Sequence, residues 1–158
     1  MINELLAFEN IILENADKYS LDPLLISAII MQESRGRVWS ARFEPSLKFS
    51  YMPQSYAKKC FISLETEVVF QRTSWSLMQV LGVKARELGF DGFLPQLLLP
   101  SLAIEYGCKV LGDLTKKYQK LNDVIVSYNS GSPRYLASGK YINEDYLSGV
   151  KSWLIKVK

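Results

Sequence analysis

Glu33 closes an apolar run. Leu24, Leu25, Ile26, Ala28, Ile29, Ile30 and Met31 precede it, Gln32 is its neighbour, and Ser34, Arg35 and Gly36 follow. Leu25, Ile29 and Glu33 recur every fourth residue, so in a helix they share one face. A carboxylate at a helix C-terminus opposes the helix dipole. The plain account is a side chain that has emerged into water. The chemical account is a carboxyl partly buried against Ile29 and Ile30, which raises its pKa and lets it hold a proton near neutral pH. Such a group suits general-acid chemistry on a poor leaving group, a glycosidic oxygen among them.

The composition narrows the alternatives. The 158 residues include no histidine. Ser-His-Asp and Cys-His nucleophile systems are therefore excluded, as is a His-ligated zinc. Cys60 and Cys108 are the only cysteines; they cannot form a four-cysteine metal site. Two buried thiols are the expectation, with a disulfide allowed by count. No glycine-rich phosphate loop of the GxxxxGK or GxGxxG type occurs, which argues against nucleotide chemistry. An enzyme on this chain working without a cofactor would use carboxylates as its acid and base; no metal and no cofactor is the expectation. The net charge of +3 and pI near 8.8 are mild. They fit nucleic acid, and equally an anionic polymer such as a cell wall.

The elements that must position these groups read as helices. Leu5, Phe8, Ile12, Ala16 and Tyr19 line one face of an N-terminal helix within residues 1–20. Asp22 and Pro23 start a second helix, Asp as cap and Pro in the first turn. Residues 40–60 lack a period and hold Pro45 and Pro53, which predicts an irregular stretch. A helix is expected near 64–71, a short helical turn at 75–80, and another helix at 83–88 ended by Gly89. Pro100 opens a long helix to about Tyr118; Gly107 within it predicts a close helix–helix approach. Asn122 is read as the cap of a helix holding Val124, Ile125 and Tyr128. Asn143 is read as the cap of the last helix, with Tyr146, Val150, Trp153, Leu154 and Val157 inward. The segment CFISLETEVVF, residues 60–70, offers a short strand. The expectation is one all-α domain over 1–158, or α with a minor β element, with the 1–20 helix packed on it. The apolar run over 21–31 is interrupted by Asp22, Pro23 and Ser27 and is too short to span a membrane. The N-terminus has no basic n-region and does not read as a signal peptide.

Three short motifs follow one another along this background. They are Glu33-Ser34 at a helix end, Leu77-Met78-Gln79 within TSWSLMQV (73–80), and Tyr128-Asn129 with Gly131 within VSYNSG (126–131). In order and spacing the chain resembles the soluble lytic transglycosylases and goose-type lysozymes of glycoside hydrolase family 23. Their marks are E-S, G-L-M-Q and A-Y-N-x-G. ARFEP (41–45), ARELGF (85–90) and AIEYGCKVL (103–111) are similar to segments of a phage-borne branch. The resemblance covers about residues 20–150. It implies a lysozyme-like helical fold and cleavage of the β-1,4 bond between N-acetylmuramic acid and N-acetylglucosamine in peptidoglycan. It implies Glu33 as general acid and then base, with 1,6-anhydromuramyl products, and the Tyr128 hydroxyl orienting that carboxyl. Ser34, Ser74, Met78, Gln79 and Asn129 become substrate-binding candidates. The plain readings are a core tyrosine for Tyr128, a core side chain for Met78 and a surface amide for Gln79.

Two positions depart from the family. Ser76 stands where the family has glycine before Leu-Met-Gln, so the local backbone or the cleft must differ. Glu44, in the irregular stretch, is a candidate base that activates water, as in goose-type lysozymes. A structural ion pair with Arg35, Arg37 or Arg42 is the favoured account of it. The reading is thus a lytic transglycosylase acting on peptidoglycan, with no nucleic-acid partner and no stable membrane insertion, expected as a monomer. The alternatives are a muramidase or chitinase using Glu44, and a non-catalytic glycan-binding or virion module. A phage-encoded enzyme reaching the wall by lysis, within the particle or through a holin-like pore fits the absent leader.

Overall fold

Capping residues and prolines set the starts of four helices, at Pro23, Pro53, Leu64 and Pro100. The computed structural model describes residues 3–158. The expected N-terminal helix over 1–20 begins at Met1 and Ile2, which lie outside the described residues. It is a 3-10 segment, Asn3–Phe8, leading into α1, Glu9–Tyr19. Asp22 caps α2, Pro23–Glu33: its carboxylate accepts from Leu24 N at 2.8 Å, and Pro23 occupies the first turn. The remaining elements in chain order are β1 (Ala41–Phe43), α3 (Pro53–Cys60), α4 (Leu64–Gln71), β2 (Thr73–Trp75), β3 (Val80–Leu81), α5 (Gly82–Glu87), a second 3-10 segment (Leu94–Leu98), α6 (Pro100–Lys117), α7 (Leu121–Ser130) and α8 (Glu144–Lys156). The fold is helical with a minor β element, as the sequence led one to expect. Among the described residues, no helix is long and apolar enough to cross a membrane.

Several local expectations are corrected. Residues 75–80 are not a helical turn: β2 and β3 pair antiparallel there, with Trp75 opposite Val80. Positive φ at Ser76 and Gln79 (59° and 48°) forms the turn and forbids helix. Residues 40–60 are not irregular throughout. They hold β1, which pairs with β2 in the register Ala41–Trp75, Arg42–Ser74, Phe43–Thr73, and they hold α3. The strand considered within 60–70 is instead the end of α3 and most of α4, which Ser63 caps through Thr66 N. Strands of two or three residues show no alternation that a sequence pattern could carry. Lys120, not Asn122, is the N-cap of α7. Asn143 sits at the N-cap of α8, but its amide bonds Val126 O and Asn129 Oδ1, each at 3.0 Å, and so ties α8 to α7.

The chain divides into two compact units. The first comprises residues up to Gly36 together with Cys108–Lys158. In it α2 packs against α1 and lies along α8, and α8 also packs on α7. Leu5, Ile12, Ile26, Ile29, Leu111, Ile125 and Val150 are fully buried. At Gly149 of α8, an added Cβ would come 2.4 Å from Gln32 Oε1, so the missing side chain is what lets α8 lie close to the last turn of α2.

The second unit is Arg37–Gly107. It holds the three-stranded sheet, α3, α4, α5 and the start of α6. Trp75, Leu77, Met78, Leu94, Leu97 and Ile104 are among its buried residues. A buried ion pair joins α4 to α5. Arg86 donates to both carboxylate oxygens of Glu67 at 2.8 and 2.9 Å, and to the carbonyls of Phe90 and Gly92 at 2.8 Å each. Gln71 adds a third donor to Glu67, and the guanidinium lies 4.2 Å from the Tyr56 ring centroid. Both carboxylate oxygens and each nitrogen of the guanidinium thus have a polar partner, the condition under which burying charge is tolerable. Gly107 does not mark a helix–helix approach. An added Cβ there would lie 2.2 Å from Met78 Sδ, so the glycine makes room for the Met78 side chain. Cys60 and Cys108 are free thiols, the first half-buried and the second buried.

Candidate active site

Glu33 is the last residue of α2 and is half-buried. The helix is stopped by Ser34, whose N–H and hydroxyl both return to Ile30 O, at 3.0 and 3.1 Å. Arg35 and Gly36 then take positive φ and turn the chain away. The Arg35 guanidinium lies 4.5 Å from the ring centroid of Trp153 on α8. The Glu33 carboxylate accepts a hydrogen bond at 2.5 Å from the hydroxyl of Tyr146, in the first turn of α8. Burial, then the charge of Glu33 and the hydrogen bond to it, push the Tyr146 phenol far above its ordinary range. It therefore stays protonated and remains a donor. Tyr128, on α7, is held well above the ordinary phenol range by burial and then by the Glu33 charge. Two phenols from two helices thus stand in the field of one carboxyl.

Asn129 follows Tyr128 at the exposed end of α7, its Oδ1 accepting from Asn143 Nδ2. Gly131 ends the helix with φ 79°, as read from the sequence. Ser34, a substrate-binding candidate, is buried, and its hydroxyl serves the helix end.

The other candidates lie on the sheet of the second unit. Arg42 and Ser74 are cross-strand partners. Both reach Glu44 Oε1, Arg42 Nε at 2.7 Å and Ser74 Oγ at 3.5 Å. Of the three arginines considered, Arg42 is the one that pairs with Glu44. Met78 is fully buried, packed into the space left by Gly107. Gln79 Nε2 donates to Ser76 O at 2.8 Å and Ser40 O at 3.2 Å. The amide oxygen of Gln79 accepts no hydrogen bond among the described residues, and it is available to a donor from outside. No three His, Cys, Asp or Glu side chains are grouped to hold a metal ion among the described residues.

Compared with known protein families, residues 10–146 match the Transglycosylase SLT domain. The chain belongs to that family. It is a peptidoglycan lytic transglycosylase. No curated protein and no solved structure matches.

In this transglycosylase the family's glycine before Leu-Met-Gln is replaced by Ser76, and the backbone there keeps φ at 59°. The serine accepts a conformation that costs a side chain about 1–2 kcal/mol. Its hydroxyl is buried with no hydrogen-bond partner among the described residues. Tyr146 is the residue that motif reading missed. Its inward position on α8 was legible, and a buried phenol needs a partner. That the partner is Glu33, 113 residues away in the chain, is a product of how α8 lies on α2.

Proposed function

We propose that the transglycosylase cleaves the β-1,4 bond between N-acetylmuramic acid and N-acetylglucosamine with Glu33 as the single acid and base. Glu33 gives its proton to the glycosidic oxygen as the C1–O bond breaks. It then takes the proton of the muramyl C6 hydroxyl as that oxygen closes on C1. The tethered hydroxyl outcompetes water through its effective concentration. The product is a 1,6-anhydromuramyl terminus, and Glu33 ends reprotonated. The observation that carries this reading is the 2.5 Å hydrogen bond from Tyr146 to Glu33. It fixes the carboxyl with a neutral donor that does not compete for the proton to be transferred. Tyr128 supports the same carboxyl from α7, and the free amide oxygen of Gln79 suits a sugar hydroxyl or N-acetyl N–H.

Glu44 is read here as structural, because Arg42 Nε and Ser74 Oγ, cross-strand partners, both converge on its Oε1. The phage-like segments support a phage-borne enzyme that meets the wall on lysis, from the particle or through a pore, acting as a monomer. Mass spectrometry of muropeptides released from purified sacculi tests the chemistry. Anhydro termini, one water lighter than hydrolysis products, are expected from the wild type and from Glu44→Gln. Glu33→Gln is expected to fold normally and lose roughly 10²–10⁴-fold in rate. Reducing muramic acid as the dominant new terminus, abolished by Glu44→Gln, would replace this reading with the hydrolytic one.

A further inference from the structure

The three tryptophans of the chain have three different fates. Trp75 on β2 is 6% exposed, its indole N–H donating to Phe70 O at 3.0 Å and its ring edge-on to Phe70. Trp153 on α8 receives Arg35 and Lys156 against its ring, at 4.5 and 4.6 Å. Trp39 is 81% exposed, and its ring packs on no other aromatic among the described residues. Single surface apolar residues are ordinary. This one differs in its foundation. It stands in a turn closed by Ser40 N to Arg37 O. The Ser40 carbonyl is held from the other side by Ser76 N at 2.6 Å and by Gln79 Nε2 at 3.2 Å. The largest apolar side chain available is therefore presented to water from a backbone pinned on both sides. Its anchors are two residues of the SLMQ segment.

We propose that Trp39 is a sugar-stacking platform that binds one pyranose ring of the glycan strand beside Gln79. The axial C–H groups on one face of a β-linked pyranose complement the negative face of an indole. A rigid base keeps the entropy of ordering small. Exposed Arg37 and Arg42 lie two and three residues away in the chain, and the Gln79 amide is bonded to the adjacent Ser40 carbonyl. That suits a hydroxyl-rich, partly anionic strand better than the apolar centre of a protein interface. The inference rests on the glycan-cleaving reading for the identity of the strand.

The test is a titration of the Glu33→Gln enzyme with a soluble N-acetylglucosamine hexamer, followed by tryptophan emission and by calorimetry. Added hexamer should blue-shift the emission of the exposed indole. Trp39→Ala should abolish that shift and weaken binding about tenfold with an unchanged melting temperature, since the side chain supports no packing. Trp39→Phe should lose the emission change and keep most of the affinity. An affinity in Trp39→Ala within twofold of its parent overturns the proposal, as does a hexamer that fails to bind the parent. An emission shift caused by anionic lipid vesicles and not by the hexamer also overturns it. Sacculus clearing by the wild type separates the two readings. Clearing together with an indifferent Trp39→Ala sinks the platform alone. Trp39-dependent binding without clearing sinks the cleavage alone.

Discussion

At the scale of residues, Tyr146 and Ser76 carry the sharpest expectations. Tyr146→Phe keeps the ring on α8 and removes only the hydroxyl that donates to Glu33. A hydrogen bond to a charged group contributes about 1.5–3 kcal/mol to stability, so the melting temperature should fall by several degrees, and sacculus clearing, measured well below that temperature, should slow by about tenfold because Glu33 loses the donor that orients it. A rate within twofold of wild type would show that Glu33 is held by other groups. Ser76 combines a positive φ of 59° with a buried hydroxyl that finds no partner among the described residues. Ser76→Gly removes both costs and adds back some chain entropy to the unfolded state. The net expectation is a gain of about 1 kcal/mol, read as a melting temperature higher by roughly 2–4 °C in a domain of this size. A drop on substitution would mean that the serine makes a contact worth more than the strain.

At the scale of elements, glycines decide how closely neighbours lie. A Cβ on Gly107 would lie 2.2 Å from Met78 Sδ and 2.7 Å from Met78 Cβ, so the tip of a flexible side chain cannot absorb the clash alone. Gly107→Ala gains helix propensity but overpacks. The expected net loss is about 1–3 kcal/mol in urea unfolding. A second change, Met78→Ala, removes the Sδ and Cε contacts and leaves only the Cβ one, so the double variant should lose less than the sum of the two single losses. Additive effects would mean that α6 shifts freely. At Gly149 the facing atoms are all at the tip of the Gln32 side chain, which can swing aside, so Gly149→Ala should cost less than Gly107→Ala.

At the scale of the whole molecule, stability should fall at both ends of the pH range, for separate reasons. Asp123 on α7 accepts from Tyr141 at 2.6 Å and Tyr135 at 2.8 Å. The hydrogen bond from Tyr141, and then that from Tyr135, holds its carboxyl below the ordinary value of 3.8. A depressed folded pKa stabilises above the unfolded value, so this contribution is complete above about pH 4 and is lost as the pH falls through the folded pKa. Tyr128 and Tyr146 are raised above 10.0 by burial and then by Glu33. Their contribution is complete below pH 10 and is lost as the pH rises beyond it. Melting temperatures across the range should therefore drop below pH 4 and above pH 10. Asp123→Asn should flatten the acid side, and Tyr146→Phe the alkaline side. An acid limb unchanged by Asp123→Asn would assign acid unfolding to other carboxylates.

The sequence alone determined what local chemistry can specify. Asp22-Pro23 started α2, Gly131 ended α7, and the apolar run ahead of Glu33 placed that carboxyl at a helix end. The absence of histidine and the order of three short motifs pointed to a family whose model then matched residues 10–146. Each of these is written in neighbouring residues, because caps, periods and motifs act over a few positions. The tertiary structure decided the rest. The strands at 41–43, 73–75 and 80–81 exist only because they pair with one another, and segments so short carry no period of their own. Arg42 was one of three candidate partners until the β1–β2 register set it opposite Ser74 and beside Glu44. Tyr146 became the donor to Glu33, and Trp39 an indole left to water, because packing disposes of each side chain according to what lies beside it in space.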